Sequence, residues 1–174
     1  PHHREGLTAV DERRLNRVLR CVRKAHERQI RDEQTLRESG AVITMPRRGC
    51  YVAIKADDGS QRCADFLVFL ARPPKLIVIA IEAKAGGRQA STAYDQLQGA
   101  LKVAQQTLTR CGVAQSDVAH VSLWVHGNGV TPPGRKLLRR QRTRMFGRKQ
   151  PVEMRRAAGQ PLSLDDFLES ELDC

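Results

Sequence analysis

The 174-residue chain is poor in aromatics: one Trp, two Tyr and four Phe supply 4% of it. Recognition of nucleic acid by stacking bases on several aromatic rings therefore fits it badly. Long apolar stretches are also missing. The run Leu76 to Ile81 is far short of the ~20 residues that a spanning helix needs. The opening Pro1-His2-His3-Arg4 is not read as a signal peptide. Cysteine is scattered: Cys21, Cys50, Cys63, Cys111 and Cys174 are odd in number and contain no CxxC pair. Neither a zinc site nor a disulfide framework is indicated. The expectation is reduced thiols in a cytosolic or nuclear protein. Acidic residues are in deficit, with 19 Asp and Glu against 30 Lys and Arg, a formal net charge of +11. Such a surplus favours a polyanionic partner, and without a spanning segment nucleic acid is preferred to a membrane.

What is present suits one globular domain, with 40% hydrophobic and 28% charged residues. Residues 8–38 read as one long helix, with Thr8 or Asp11 as cap, Leu15, Val18, Leu19, Val22 and Ala25/His26 as apolar stripe, and Ser39-Gly40 as its end. Strands follow at Ala41 to Met45, Gly49 to Ala56, Cys63 to Leu70 and Lys75 to Lys84. Asp57-Asp58-Gly59-Ser60 carries a hairpin signal, and Arg72-Pro73-Pro74 separates the last two strands. Residues 91–110 form an amphipathic helix capped by Ser91 or Thr92, with Ala93, Leu97, Ala100, Leu101, Ala104 and Leu108 on one face and Cys111-Gly112 as its stop. His120 to His126 is a further strand with Trp124 in the core, and Gly127-Asn128-Gly129 and Pro132-Pro133-Gly134 are loop. The pattern predicts an α/β fold with a mixed central sheet flanked by helices.

The chemistry concentrates at two strand ends. Asp65 opens one strand, while Glu82 and Lys84 close the most apolar one. Residues two apart on a strand share a face, so Glu82 and Lys84 project together, and pairing the two strands brings Asp65 beside Glu82. Charge on so apolar a strand is costly unless paired or metal-bound. A structural ion pair, Glu82–Lys84 or Asp65–Lys84, is one reading. The other is a hard-cation site: two carboxylates that repel each other suit Mg²⁺, which polarises phosphate and acidifies water, with a lysine to assist.

The spacing Asp65, sixteen residues, Glu82-Ala83-Lys84, then Gln96-Leu97 on the next helix and Val121 to Val125 on the next strand, resembles the PD-(D/E)XK nuclease superfamily and its αβββαβ core. That resemblance covers roughly residues 10–126. It implies a Mg²⁺- or Mn²⁺-dependent nuclease hydrolysing phosphodiester bonds, in DNA rather than RNA. Asp65, Glu82 and the Ala83 carbonyl would hold the metal, Lys84 would be the catalytic lysine, and Gln96 would support the site. A first-helix glutamate near the metal is common in the superfamily, and Glu27 is preferred to Glu33 for that place. His26 is a thinner parallel to the helix histidine of viral cap-snatching endonucleases. Ala64 stands where the motif has proline, and Ala100 where an aromatic often follows Gln-Leu. The order of elements is also similar to a nuclease-fold protein of herpesviruses. A catalytically silent nuclease-fold module that binds nucleic acid or recruits a partner is the alternative reading. A homodimer or a targeting partner protein is compatible with either.

On this reading residues 1–130 are a nuclease-like core, and residues 131–174 are a basic segment and a short acidic helix appended to the same domain. Arg135, Lys136, Arg139, Arg140, Arg142, Arg144, Arg148 and Lys149 form the densest charge cluster and are the expected nucleic-acid contacts. Ser163 is expected to cap an acidic helix, Leu164 to Leu172, which could mask that cluster in cis. His120 and His126 stand at opposite ends of one strand and are not expected to share a ligand.

Overall fold

A computed structural model describes residues 3–57, 63–84, 90–127, 130–157 and 159–172, with the side chains of residues 3–10, 84, 171 and 172 left out. The elements are α1 (His3–Ala25), β1 (Ile30–Arg31), β2 (Thr35–Glu38), β3 (Ala41–Thr44), β4 (Tyr51–Lys55), β5 (Phe66–Arg72), β6 (Lys75–Lys84), α2 (Ala90–Arg110), β7 (Val118–His126), α3 (Pro132–Arg140), β8 (Arg142–Met145), β9 (Arg148–Arg156), β10 (Leu162–Ser163) and α4 (Leu164–Leu172). The architecture is α/β. One seven-stranded mixed sheet has the order β1-β4-β5-β6-β7-β9-β8, and a three-stranded sheet has the order β10-β3-β2.

The centre of the main sheet follows from the sequence pattern. β4, β5 and β6 form an antiparallel meander; α2 then crosses over so that β7 runs parallel to β6. Because β6 is covered on both faces, it reads as a continuous apolar run. Leu76, Val78 and Ala80 enter one core with residues of α1 and α2. Ile77, Ile79, Ile81 and Ala83 enter a second core with Leu36, Ile43 and the α4 residues Phe167 and Leu168. α2 buries Ala93, Leu97, Ala100, Leu101, Ala104 and Leu108, the expected face. It ends where Gly112 takes a φ of +70° and the N–H groups of Gly112 and Val113 return to the carbonyls of Thr109 and Leu108, the geometry that favours glycine after a helix.

Several expectations need correction. The long helix over 8–38 stops at Ala25. The buried part of its stripe ends at Val22, with Ala25 exposed; beyond it, Ile30 and Leu36 belong to strands and Leu36 is buried in the second core. Ser39-Gly40 is not a helix end but the two-residue turn of the β2–β3 hairpin, with φ of +49° and +79° joining Glu38 to its partner Ala41. Ser91 and Thr92 lie inside α2, which begins at Ala90. Pro132-Pro133-Gly134 is not loop. It opens α3, where proline at the first helical positions loses no hydrogen bond and the Thr131 hydroxyl accepts from the Gly134 N–H. The hairpin signal at Asp57 to Ser60 and the Ala85-Gly86-Gly87 stop fall largely or wholly outside the described residues.

Residues 131–174 are woven into the domain rather than appended to it. β9 pairs in parallel with β7, β8 pairs with β9, and β10 pairs with β3. Phe146-Gly147, with φ of +49° and +75°, turns the β8–β9 hairpin. The edge strand β8 is covered by side chains of α2: Tyr94 and Gln98 donate to the carbonyls of Arg142 and Arg144, while Gln98 and Gln105 accept from the N–H groups of Arg144 and Phe146. Blunting an edge in this way removes a template for unwanted strand pairing. Ser163 does cap α4, accepting from the Asp166 N–H at 3.3 Å.

Cysteine also departs from expectation. Cys21 of α1 and Cys111 after α2 form a disulfide across a sequence separation of 90, while Cys50 is exposed and Cys63 buried. The two helices lie on one face of the sheet, a proximity that residue spacing does not reveal. No helix among the described residues is long and apolar enough to cross a membrane.

Candidate metal centre

The register of β5 and β6 pairs Phe66 with Ile81, which sets Asp65 against Glu82 at the C-terminal end of β6. Two hydrogen bonds cross-link them. The Asp65 N–H donates to Glu82 Oε2 at 3.2 Å, and Asp65 Oδ2 accepts from the Ala83 N–H at 2.8 Å. Glu82 is fully buried, and Asp65 keeps 8% of its surface. Glu82 shares its face of β6 with Leu76, Val78 and Ala80, so it points toward the layer of α1 and α2. The Ala83 backbone lies beside the Asp65 carboxylate. Lys84 ends β6, paired in register with His126; its side chain is outside the described part.

Gln96 reaches the same corner from α2. Its Nε2 donates to the Cys63 carbonyl across a long 3.5 Å, two residues before Asp65, and its Oε1 is buried without a hydrogen-bond partner among the described residues. The third strand of the site is β7, whose Trp124 and His126 pair with Glu82 and Lys84. Trp124 is fully buried, as expected, with its indole N–H unpartnered, and its ring meets His126 edge-on at 5.9 Å. Burial, with Arg135 and Arg156 nearby, lowers the His126 pKa from its ordinary value. His120, at the other end of β7, is likewise lowered, by burial first and Arg148 second, against a raising bond from the Thr143 backbone.

The predicted first-helix ligand is not brought to this corner. Glu27 lies beyond α1 in a short 3-10 turn, Glu27–Gln29, and is exposed. The helix ends too early to carry it, and the chain there is anchored elsewhere. His26 bonds Gln29 at 2.9 Å and Thr107 at 2.8 Å; Thr107 lies roughly 16 Å further along α2 than Gln96 by helical rise. Among the described residues no group of three or more His, Cys, Asp or Glu gathers as a metal cage. The donor set at the corner is therefore two carboxylates and a neighbouring backbone carbonyl. These are hard oxygen ligands, the donor type that Mg²⁺ or Mn²⁺ takes.

All eight predicted nucleic-acid contacts are exposed. Arg135, Lys136, Arg139 and Arg140 line a groove of about 560 Å³ along α3 with Val130 and Pro132. Arg142 and Arg144 project from β8, with Thr143 and Met145 buried between them. The acidic helix does not cover this surface. Asp165 of α4 accepts from the Arg47 N–H at 2.8 Å and lies 3.6 Å from the Arg72 guanidinium. α4 packs in the second core, with the three-stranded sheet, whereas Leu138 of α3 packs in the first, with α2. Masking in cis is thereby excluded as an arrangement of this fold. Sequence reasoning passed over His126 and Arg156 as site neighbours, since nothing before the register of β7 and β9 places them there. Comparison of the chain with known families, curated proteins and solved structures found no match.

Proposed function

We propose that the protein is a metal-dependent nuclease of the PD-(D/E)XK type, hydrolysing phosphodiester bonds, most readily in DNA. The observation that carries this reading is the adjacency of two buried carboxylates, Asp65 and Glu82, at the end of a central strand that closes two residues later on Lys84. The run α1, β4-β5-β6, α2, β7 supports it by following the order of elements from which the resemblance was argued.

On this reading Asp65, Glu82 and the Ala83 carbonyl hold Mg²⁺ or Mn²⁺, which supplies charge neutralisation at phosphate and a more acidic water. The chain's own groups do the rest. The Ala83 N–H fixes one oxygen of Asp65, and the Asp65 N–H fixes one oxygen of Glu82, so the ligands are oriented before anything binds. Burial of Glu82 strengthens its attraction for a cation by removing competing water. Lys84 is assigned to the developing negative charge on the phosphate. Gln96 steadies the Cys63–Asp65 approach and keeps a buried amide oxygen available to an incoming donor. The exposed cations of α3 and β8 neutralise substrate phosphates, which makes binding salt-sensitive.

The test is incubation with supercoiled plasmid, linear duplex, single-stranded DNA and RNA, each with Mg²⁺ or Mn²⁺, beside Glu82→Ala and Lys84→Ala proteins. Cleavage that needs metal and is lost in both variants is the expected result. Metal-independent binding without cleavage of any substrate would replace the nuclease reading with that of a silent nucleic-acid-binding module.

A further inference from the structure

We propose that His126, Arg135 and Arg156 form a subsite for a nucleic-acid backbone phosphate beside the Asp65–Glu82 corner, continuous with the basic groove of α3. The subsite rests on the nuclease reading for the identity of its ligand. Its geometry comes from the sheet. β6, β7 and β9 are parallel and end together, and their registers align Lys84 with His126 and His126 with Arg156. Directly paired residues of neighbouring strands share a face. Two residues earlier, and so on the same face, the same strands align Glu82, Trp124 and Met154, and Trp124 and Met154 pack in the core beneath the helices. From a strand spacing of ~4.8 Å and a two-residue rise of ~6.6 Å, the backbones of Glu82 and His126 are roughly 8 Å apart.

Three observations make that place a ligand site rather than a packed corner. His126 is 7% exposed, and its Nδ1 is buried with no hydrogen-bond partner among the described residues. Native proteins rarely leave such an atom unsatisfied, so a partner that arrives with a ligand accounts for it. Arg156 and Arg135 both lie near enough to act on the imidazole, and among the described residues neither guanidinium has a carboxylate partner. An imidazole offers an N–H donor, while two guanidiniums supply the charge and the planar donors that suit a phosphate. Arg135 also lines the α3 groove with Lys136, Arg139 and Arg140, so a strand held at His126 has a continuous cationic path onward.

The experiment uses the full chain carrying Glu82→Ala, so that substrate is not consumed, and a fluorescent 20-base-pair duplex followed by anisotropy over a salt series. Arg135→Ala with Arg156→Ala is expected to weaken binding at least tenfold at moderate salt and to lower the slope of log affinity on log salt by about two. Arg37→Ala with Lys75→Ala, which removes equal charge from the second sheet and the far end of β6, is expected to change affinity less than threefold. Equal losses in the two pairs, or an unchanged slope in the first, would overturn the subsite. His126→Phe is expected to weaken binding severalfold at unchanged Tm, with His126→Gln restoring most of it; wild-type affinity in His126→Phe overturns the part assigned to the ring. Cleavage by the Glu82-intact chain is scored separately. A reduced slope without cleavage keeps the subsite and rejects the nuclease, and cleavage with an unchanged slope does the reverse.

Discussion

At the C-terminal end of α2, most polar groups are paired off within the protein, the buried His120 Nε2 being the exception among the described residues. The Cys21–Cys111 disulfide ties α1 to the helix stop, His26 bonds Thr107 and Gln29, and Arg14 pairs with Asp117 just before β7. At the N-terminal end of α2 the pattern reverses. Two hydrogen-bonded carboxylates share a buried corner, while Gln96, Trp124 and His126 each keep a buried polar atom without a partner among the described residues. Both ends rest on the same apolar core, so the difference lies in what the polar groups are left to do. The first end fastens helices. The second keeps hydrogen-bonding capacity in reserve, which costs stability in the free protein and makes sense when a ligand supplies the missing partners.

Substitutions should therefore divide by end. The largest effects belong to the carboxylate corner. Glu82→Ala or Asp65→Asn should lower metal-dependent cleavage by roughly three orders of magnitude or more, and a plasmid-nicking time course measures it. A loss below tenfold would erase the distinction between the ends. Next comes the fastened end. Removing the disulfide by Cys21→Ser should cost about 4 kcal/mol in the chain-entropy account of a long closed loop, read from urea midpoints, while kcat on a saturating duplex stays within twofold under folding conditions. Gln96→Ala should reduce kcat roughly 10- to 100-fold with duplex affinity retained. Thr107→Val should cost about 1 kcal/mol of stability through the lost His26 bond and leave cleavage untouched. A cleavage defect in Thr107→Val would show that the two ends are coupled.

Legibility in the sequence followed the same physics. β6 and α2 were readable almost to the residue because one is a continuous apolar run, the other has one strong helical periodicity, and each is followed by a clear stop signal. The placement of Asp65 against Glu82 followed from strand alternation and pairing, and Ser163 announced the start of α4. What depended on distant partners was hidden. Residues 26–38 carry good helix formers, yet Leu36 is drawn into the second core as a strand. The basic stretch 135–149 looks like a solvated tail because its buried residues, Leu138, Thr143 and Met145, are few and widely spaced among arginines. Its strands owe their backbone partners to α2 and β9, which local pattern cannot anticipate. The disulfide and the orientation of α4 are likewise properties of packing. So is the row of Lys84, His126 and Arg156, whose members are more than 70 residues apart from first to last.

The most direct test of the central claim is a Mn²⁺ titration of the unmodified chain and of Asp65→Ala, followed by thermal unfolding. A ligand that binds the folded state raises Tm with concentration. The account predicts a saturable rise in Tm for the unmodified chain and its loss in Asp65→Ala. Equal shifts in the two proteins, or none in either, would contradict a metal site at the Asp65–Glu82 corner.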